Sequence, residues 1–222
     1  MANVGKHQSI KQIKQTVERQ ALRTNWNDAA IVAFSGFLYC SLIEISLLNV
    51  EDLITEKGKI NKEFVMPERI TGVSKGRLVN VGKKGFIVDV INHVVNYRIS
   101  NGFGIIKNTG MYLGLEPETR FFLNRHGEPF KLKKNGSSNY QPYSLRRHFK
   151  ELNLSEGIDN RSLRESFISN VWNHARESGI GDVDILKSLQ KLTGLGTSTL
   201  RVKVIRRDKL VLSVVRSLYE NL

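Results

Sequence analysis

Apolar positions recur along most of this chain at helical spacing. Between Gln8 and Arg23, Ile10, Ile13, Val17 and Leu22 fall near a 3.6-residue period, with Lys11, Lys14, Gln15, Arg19 and Arg23 on other faces, which predicts an amphipathic basic helix. Asn25 or Asn27 can cap a second helix carrying Ala29, Ile31, Val32 and Phe34, with a break expected near Gly36. A third helix is predicted from Ser41 to Leu48, leading into Asn49-Val50-Glu51-Asp52-Leu53. Between Glu63 and Gly82 the period shortens: Phe64 to Pro67, Arg69 to Val73 and Arg77 to Val81 alternate like short strands, and Ser74-Lys75-Gly76 is the expected hairpin tip.

Helical spacing returns with Phe86, Val90, Val94 and Tyr97, and Ser100-Asn101-Gly102 ends that helix. Thr119 to Leu123 is a short apolar element before the turn Asn124 to Pro129, and Lys131 to Ser138 is expected to be a basic loop. Helices follow over Tyr143 to Leu152, Asp159 to Ser178, Asp182 to Leu192 and Asp208 to Asn221. The whole is a mainly α chain with a small antiparallel β-sheet (α+β), divided into an N-terminal basic helix or arm, 1–28, and a larger domain, 29–222.

Charge narrows the partner. Thirty-four Lys and Arg against twenty-one Asp and Glu give a net charge of +13, the footprint of a polyanion binder, although a generally basic surface has the same sum. The single cysteine, Cys40, ends an apolar run from Phe34 and so reads as a small buried hydrophobe, which excludes a disulfide framework within the chain and suits a reducing compartment. No run approaches eighteen apolar residues, and no apolar core follows the first basic residues. A cytoplasmic, nucleoid-associated protein is expected, without membrane, metal or small-molecule cofactor.

Two segments carry the sharper signal. Arg161-Ser162-Leu163-Arg164 and, some tens of residues later, Leu192-Thr193-Gly194-Leu195-Gly196-Thr197-Ser198-Thr199-Leu200-Arg201-Val202-Lys203 resemble the two C-terminal motifs of the tyrosine recombinase (phage integrase) catalytic domain. Those motifs are His-x-x-Arg and Leu-Gly-His-Ser-Ser-x-x-Thr-Thr-x-x-Tyr. Ser35-Gly36 through Glu44 with Leu47 to Leu53, and Phe121 to Pro129, resemble two further boxes of the family in the same order. The resemblance implies the tyrosine recombinase catalytic-domain fold over roughly Ala29 onward. It also aligns Ser41 with one phosphate-binding arginine, Arg161 with the first histidine, Gly194 with the second, and Lys203 with the nucleophilic tyrosine. Arg164 matches the remaining clamp arginine, and Lys75 the lysine of the β-hairpin that serves the family as a general acid.

Transesterification of a phosphodiester needs a nucleophile, cationic clamping of the phosphoryl oxygens and a proton for the leaving oxygen. Removing one preorganised donor typically costs about 3–4 kcal/mol of transition-state stabilisation. The aligned positions here offer one arginine, no histidine and a lysine for the tyrosine, so no catalytic residue is assigned and a non-enzyme is expected. Tyr219, on the apolar stripe Leu210, Val211, Val214, Val215 and Leu218, is the alternative nucleophile of a divergent active recombinase; packing explains that stripe equally. His148 and His174 lie in helices without matching spacing.

The implied partner is double-stranded DNA, met by Lys75, Arg77, Arg146, Arg147, Arg161, Arg164, Arg201, Lys203, Arg206 and Arg207. Such side chains contact phosphates first, and only those reaching base edges confer sequence preference. The resemblance therefore implies a sequence-selective DNA-binding protein of a phage or mobile element, acting as a repressor, regulator or accessory factor and self-associating through the C-terminal helix. A module that modulates a true integrase through protein contacts is the third reading.

Overall fold

Ser9 opens the first helix by reciprocal capping, its hydroxyl accepting from the Gln12 N–H while the Gln12 side chain accepts from the Ser9 N–H. In the computed structural model, which describes residues 7–71, 76–106, 110–135, 139–155 and 157–204, this helix, α1 (Ile10–Arg23), lays Ile13 and Val17 into the main core. Ile10 and Leu22 are exposed and Gln20 is buried instead, which corrects the predicted apolar face. The buried stripe follows a 13, 17, 20 spacing that Leu22 does not share.

Asn25 caps α2 (Trp26–Phe37), whose residues Asn27 to Gly36 are all buried. Gly36 does not break this helix. A Cβ there would lie 2.7 Å from Ile13 Cγ2, so the glycine serves the close approach of α1 to α2. Ser41 and Glu44 form a second reciprocal cap on α3 (Leu42–Leu47), which is followed by α4 (Val50–Leu53).

β1 (Glu63–Val65) pairs antiparallel with β2 (Leu78–Asn80), Phe64 opposite Val79. The strand predicted between them is instead, over its described part, the helical turn α5 (Glu68–Thr71). Pro67 cannot donate to a ladder, its carbonyl accepts from the Ile70 N–H, and the turn buries Ile70 and brings Arg69 onto Asp52 and the Leu47 carbonyl. The first and third of the predicted strands therefore pair with each other, not the second with the third across a 74–76 tip, and Lys75 lies outside the described residues.

α6 (Phe86–Ser100) packs on α2 through Val90, Ile91, Val94 and Val95. A 3₁₀ turn at Tyr112–Gly114 and the Leu123 to Pro129 turn follow. Lys131 to Ser138, expected to be a loop, contains β3 (Lys133–Asn135), which pairs antiparallel with β4 (Asn139–Gln141). Both strands are three residues long and polar, so the ladder comes from backbone pairing without an apolar alternation to announce it. Among the described residues the sheet content is therefore two separate two-stranded ribbons.

Three helices complete the described chain: α7 (Tyr143–Glu151), α8 (Asn160–Glu177) and α9 (Asp182–Thr193), with 197–204 helical again. α8 joins two cores. Its first turn puts Leu163 into the main one, and Ile168 and Trp172 then meet Ile185, Leu186, Leu189, Leu200 and Val204 in a second. The helix predicted from Asp208 to Asn221 lies outside the described residues.

Candidate nucleic-acid interface

Asp159 fixes the start of α8: its carboxylate accepts from the Ser162 N–H at 2.6 Å and the Ser162 hydroxyl accepts from the Asp159 N–H at 2.8 Å. The helical spacing then puts Arg161, Arg164 and Glu165 at positions i, i+3 and i+4, one face of the first two turns. Glu165 gathers two cations, Lys203 Nζ at 3.0 Å and Arg161 Nε at 3.2 Å. Burial favours its neutral acid, but the hydrogen bonds and charges of Lys203 and Arg161 hold the carboxyl below the usual carboxylate range.

Arg164 turns the other way. Its Nε donates to the Tyr39 carbonyl at 3.2 Å, and the guanidinium lies 4.2 Å from the centroid of the Tyr39 ring. Tyr39 is buried and sits at φ +58°, a left-handed conformation unusual for a tyrosine. Burial pushes its phenol up.

A second guanidinium, that of Arg77, lies 5.8 Å from the same ring. It donates to Glu44 Oε1 at 2.7 Å, to the Leu38 and Leu192 carbonyls at 3.0 Å each and to Cys40 Sγ at 3.3 Å. Burial works against the Glu44 carboxylate, yet Arg77 and Ser41 hold it low, and burial drives the Cys40 thiol up to about 11. Arg77 therefore corrects the expectation of a DNA contact: its side chain is 5% exposed and four of its N–H donors already have acceptors. A guanidinium so desolvated and so fully bonded locks β2 to α3 and α9.

Ser41 caps α3 and donates its hydroxyl to Glu44 at 2.7 Å. Gly194 is the left-handed residue after α9, φ +70°, with the position of an added Cβ 3.6 Å from Arg77 Cβ. The positions singled out from the sequence thus converge: Ser41, Gly194 and Arg164 meet around Glu44, Arg77 and Tyr39, while Arg161 and Lys203 meet on Glu165, the neighbour of Arg164. Arg201 is exposed on the 197–204 helix, and a cleft of about 390 Å³ opens beside Lys203, lined by Ser198, Thr199 and Val202.

Arg146 and Arg147 are exposed on α7, the latter paired with Glu151 at 2.8 Å. α7 is tied to α2 by His148 Nε2 and Asp28 Oδ1 at 2.7 Å. His174 is exposed at the end of α8. Lys75, Arg206, Arg207 and Tyr219 fall outside the described residues. Among the described residues no group of three or more His, Cys, Asp or Glu is placed to hold a metal, and no helix is long and apolar enough to cross a membrane.

The pattern of the sequence did not reveal Glu165, Tyr39 or the true role of Arg77. The four-residue step from Arg161 to Glu165 was a readable ion-pair signal. The Arg77 contacts, 33 to 115 residues away in sequence, were not.

No protein-family model and no curated protein matches the chain. Among solved structures it resembles the crystal structure of XerA recombinase, with a TM-score of 0.56 and 14% identity, over 89% of this chain and 57% of that one. The chain thus spans little more than half the length of that recombinase. At this identity the likeness shows the fold: the two short antiparallel ribbons and the surrounding helices form a tyrosine-recombinase-like α+β fold.

Proposed function

We propose that this protein binds double-stranded DNA sequence-selectively through the surface around Arg161, Arg164 and Lys203, with the exposed Arg201 of the same 197–204 helix available beside it, and that it does so without cutting it. One observation carries the reading: Lys203, at the position that the resemblance assigns to the nucleophile, is an ammonium 3.0 Å from Glu165. An ammonium has no lone pair with which to attack phosphorus. Around it Arg164 and the exposed cation Arg161 can still meet a phosphodiester, while the other aligned groups are replaced: Ser41, a helix cap, stands for the second clamp arginine and Gly194 has no side chain.

The role that fits binding without cleavage is that of a repressor, regulator or accessory factor of a mobile element. The test is binding to duplex fragments flanking the gene at two salt concentrations, followed by denaturing electrophoresis of the same mixtures. Binding that is sequence-selective and salt-sensitive, with intact strands, is expected, because each phosphate contact adds about −0.9 to the slope of log K against log salt. A covalent protein–DNA adduct that Tyr219→Phe abolishes would establish the divergent enzyme instead. Absence of any salt-dependent binding would favour a protein partner.

A further inference from the structure

Glu165 is a carboxylate placed between the two cations that a DNA phosphate would meet at this face. Its Oε1 is shared between Lys203 Nζ at 3.0 Å and Arg161 Nε at 3.2 Å. The two cations arrive from different directions, Arg161 one helical turn before it and Lys203 from the 197–204 helix, 38 residues on. Lys203 is 30% exposed and Glu165 26%, so this pair is screened by salt less than the contact to Arg161, which is 84% exposed. The preceding residue, Arg164, donates to the Tyr39 carbonyl.

We infer that Glu165 is an internal counter-anion that sets the affinity of this face for DNA: it occupies Arg161 and Lys203 in the free protein, and a backbone phosphate must displace it to gain them. The inference rests on the DNA-binding reading above. A phosphate approaching this cluster meets a carboxylate of like charge, and it gains two cations one of whose two positive charges is already balanced. Binding is consequently weaker, and less steep in salt, than the count of basic residues implies. Natural DNA-binding surfaces must also release DNA, and a built-in competitor lowers affinity without removing a single cation.

The experiment compares Glu165→Gln with the wild-type protein by fluorescence anisotropy on one duplex over a salt series. Glu56→Gln, which removes an exposed carboxylate from the turn after α4, controls for net charge. Glutamine keeps the shape of Glu165 and loses its charge. The expected result is binding at least about five-fold tighter at 0.15 M salt and a slope steeper by about 0.9 for each cation released, the first figure being that slope taken from 1 M salt down to 0.15 M. Glu56→Gln should stay within about two-fold of wild type. Adding Arg161→Ala and Lys203→Ala to Glu165→Gln should erase the gain, because the effect acts through those two residues. Unchanged or weaker binding by a Glu165→Gln protein that melts normally, beside a wild type that binds with a clear salt slope, overturns this inference and leaves the DNA reading intact. If neither protein binds DNA, the DNA reading falls and takes this inference with it.

Discussion

Glu44 and Glu165 each hold arginine or lysine at hydrogen-bond distance, yet one pair lies in the interior and the other at the surface. Arg77 and Glu44 are 2.7 Å apart with side chains 5% and 9% exposed. Arg161, Lys203 and Glu165 make contacts only slightly longer, with exposures from 26% to 84%. The same functional groups at nearly the same distances therefore do different work. In the interior, the cost of desolvation makes each partner indispensable to the other; at the surface, water and salt can replace either partner, so the cations remain available to a ligand.

Truncating the buried member has the largest expected effect. Arg77→Ala leaves Glu44 buried without its cation and is expected to lower the free energy of unfolding by about 3–5 kcal/mol, read by urea denaturation. Arg77→Lys should recover only part of it, since an ammonium cannot reach Glu44, two carbonyls and Cys40 at once. A loss below about 1 kcal/mol would mean that the interior pair is no more demanding than a surface one.

The surface cluster should respond in the opposite currency. Arg161→Ala is expected to change stability by no more than about 0.5 kcal/mol. On the DNA-binding proposal, affinity for duplex at 0.15 M salt should nevertheless fall by up to about five-fold, with a salt slope shallower by as much as about 0.9. Arg164→Ala tests the intermediate case: it removes both a phosphate-ready guanidinium and the contact with Tyr39. It should weaken DNA binding by a similar factor and cost about 1 kcal/mol of stability besides. Equal stability losses in Arg161→Ala and Arg77→Ala would erase the distinction between the two clusters.

The smallest effect sharpens the comparison by titration. His148 and Asp28 are 2.7 Å apart, with side chains 26% and 8% exposed. The hydrogen bond that the ring donates to Asp28 raises the imidazole above its ordinary value despite burial, with further contributions from the charges of Asp28 and Glu151. Because the folded state favours the protonated ring, the contribution to stability is complete below about pH 6.5 and is lost as pH rises through the higher folded value. His148→Gln should therefore flatten the dependence of melting temperature on pH between about 6 and 8. A wild type whose stability climbs over that range would contradict the assignment.

The helices were legible wherever capping residues and apolar spacing agreed. Ser9, Asn25, Ser41 and Asp159 each start a helix at or beside the position their side chains suggest. Legibility failed where a tertiary neighbour decided the outcome. Gly36 looks like a helix breaker until Ile13 is seen against it, and Leu22 looks like core until α2 is seen to cover Ile13 and Val17. At the candidate site, the convergence of Ser41, Arg161, Arg164, Gly194 and Lys203 came from motif order. The occupation of Arg77 by groups from three separate elements left no local pattern to read, and charge alone made it indistinguishable from Arg161.

The left-handed backbone at Gly194 bears on how such a chain could change with time. At φ +70°, any side chain other than glycine's pays a steric cost of about 1–2 kcal/mol, so a histidine introduced at the position aligned with the recombinases' second histidine would begin at a disadvantage, before it met any substrate. A mutational path toward strand cleavage must therefore reshape the end of α9 as well as exchange residues. The backbone at one glycine thus acts as a one-way valve on an evolutionary landscape: exposed positions such as Arg161 and Arg201 can change singly, and position 194 cannot accept a side chain as easily.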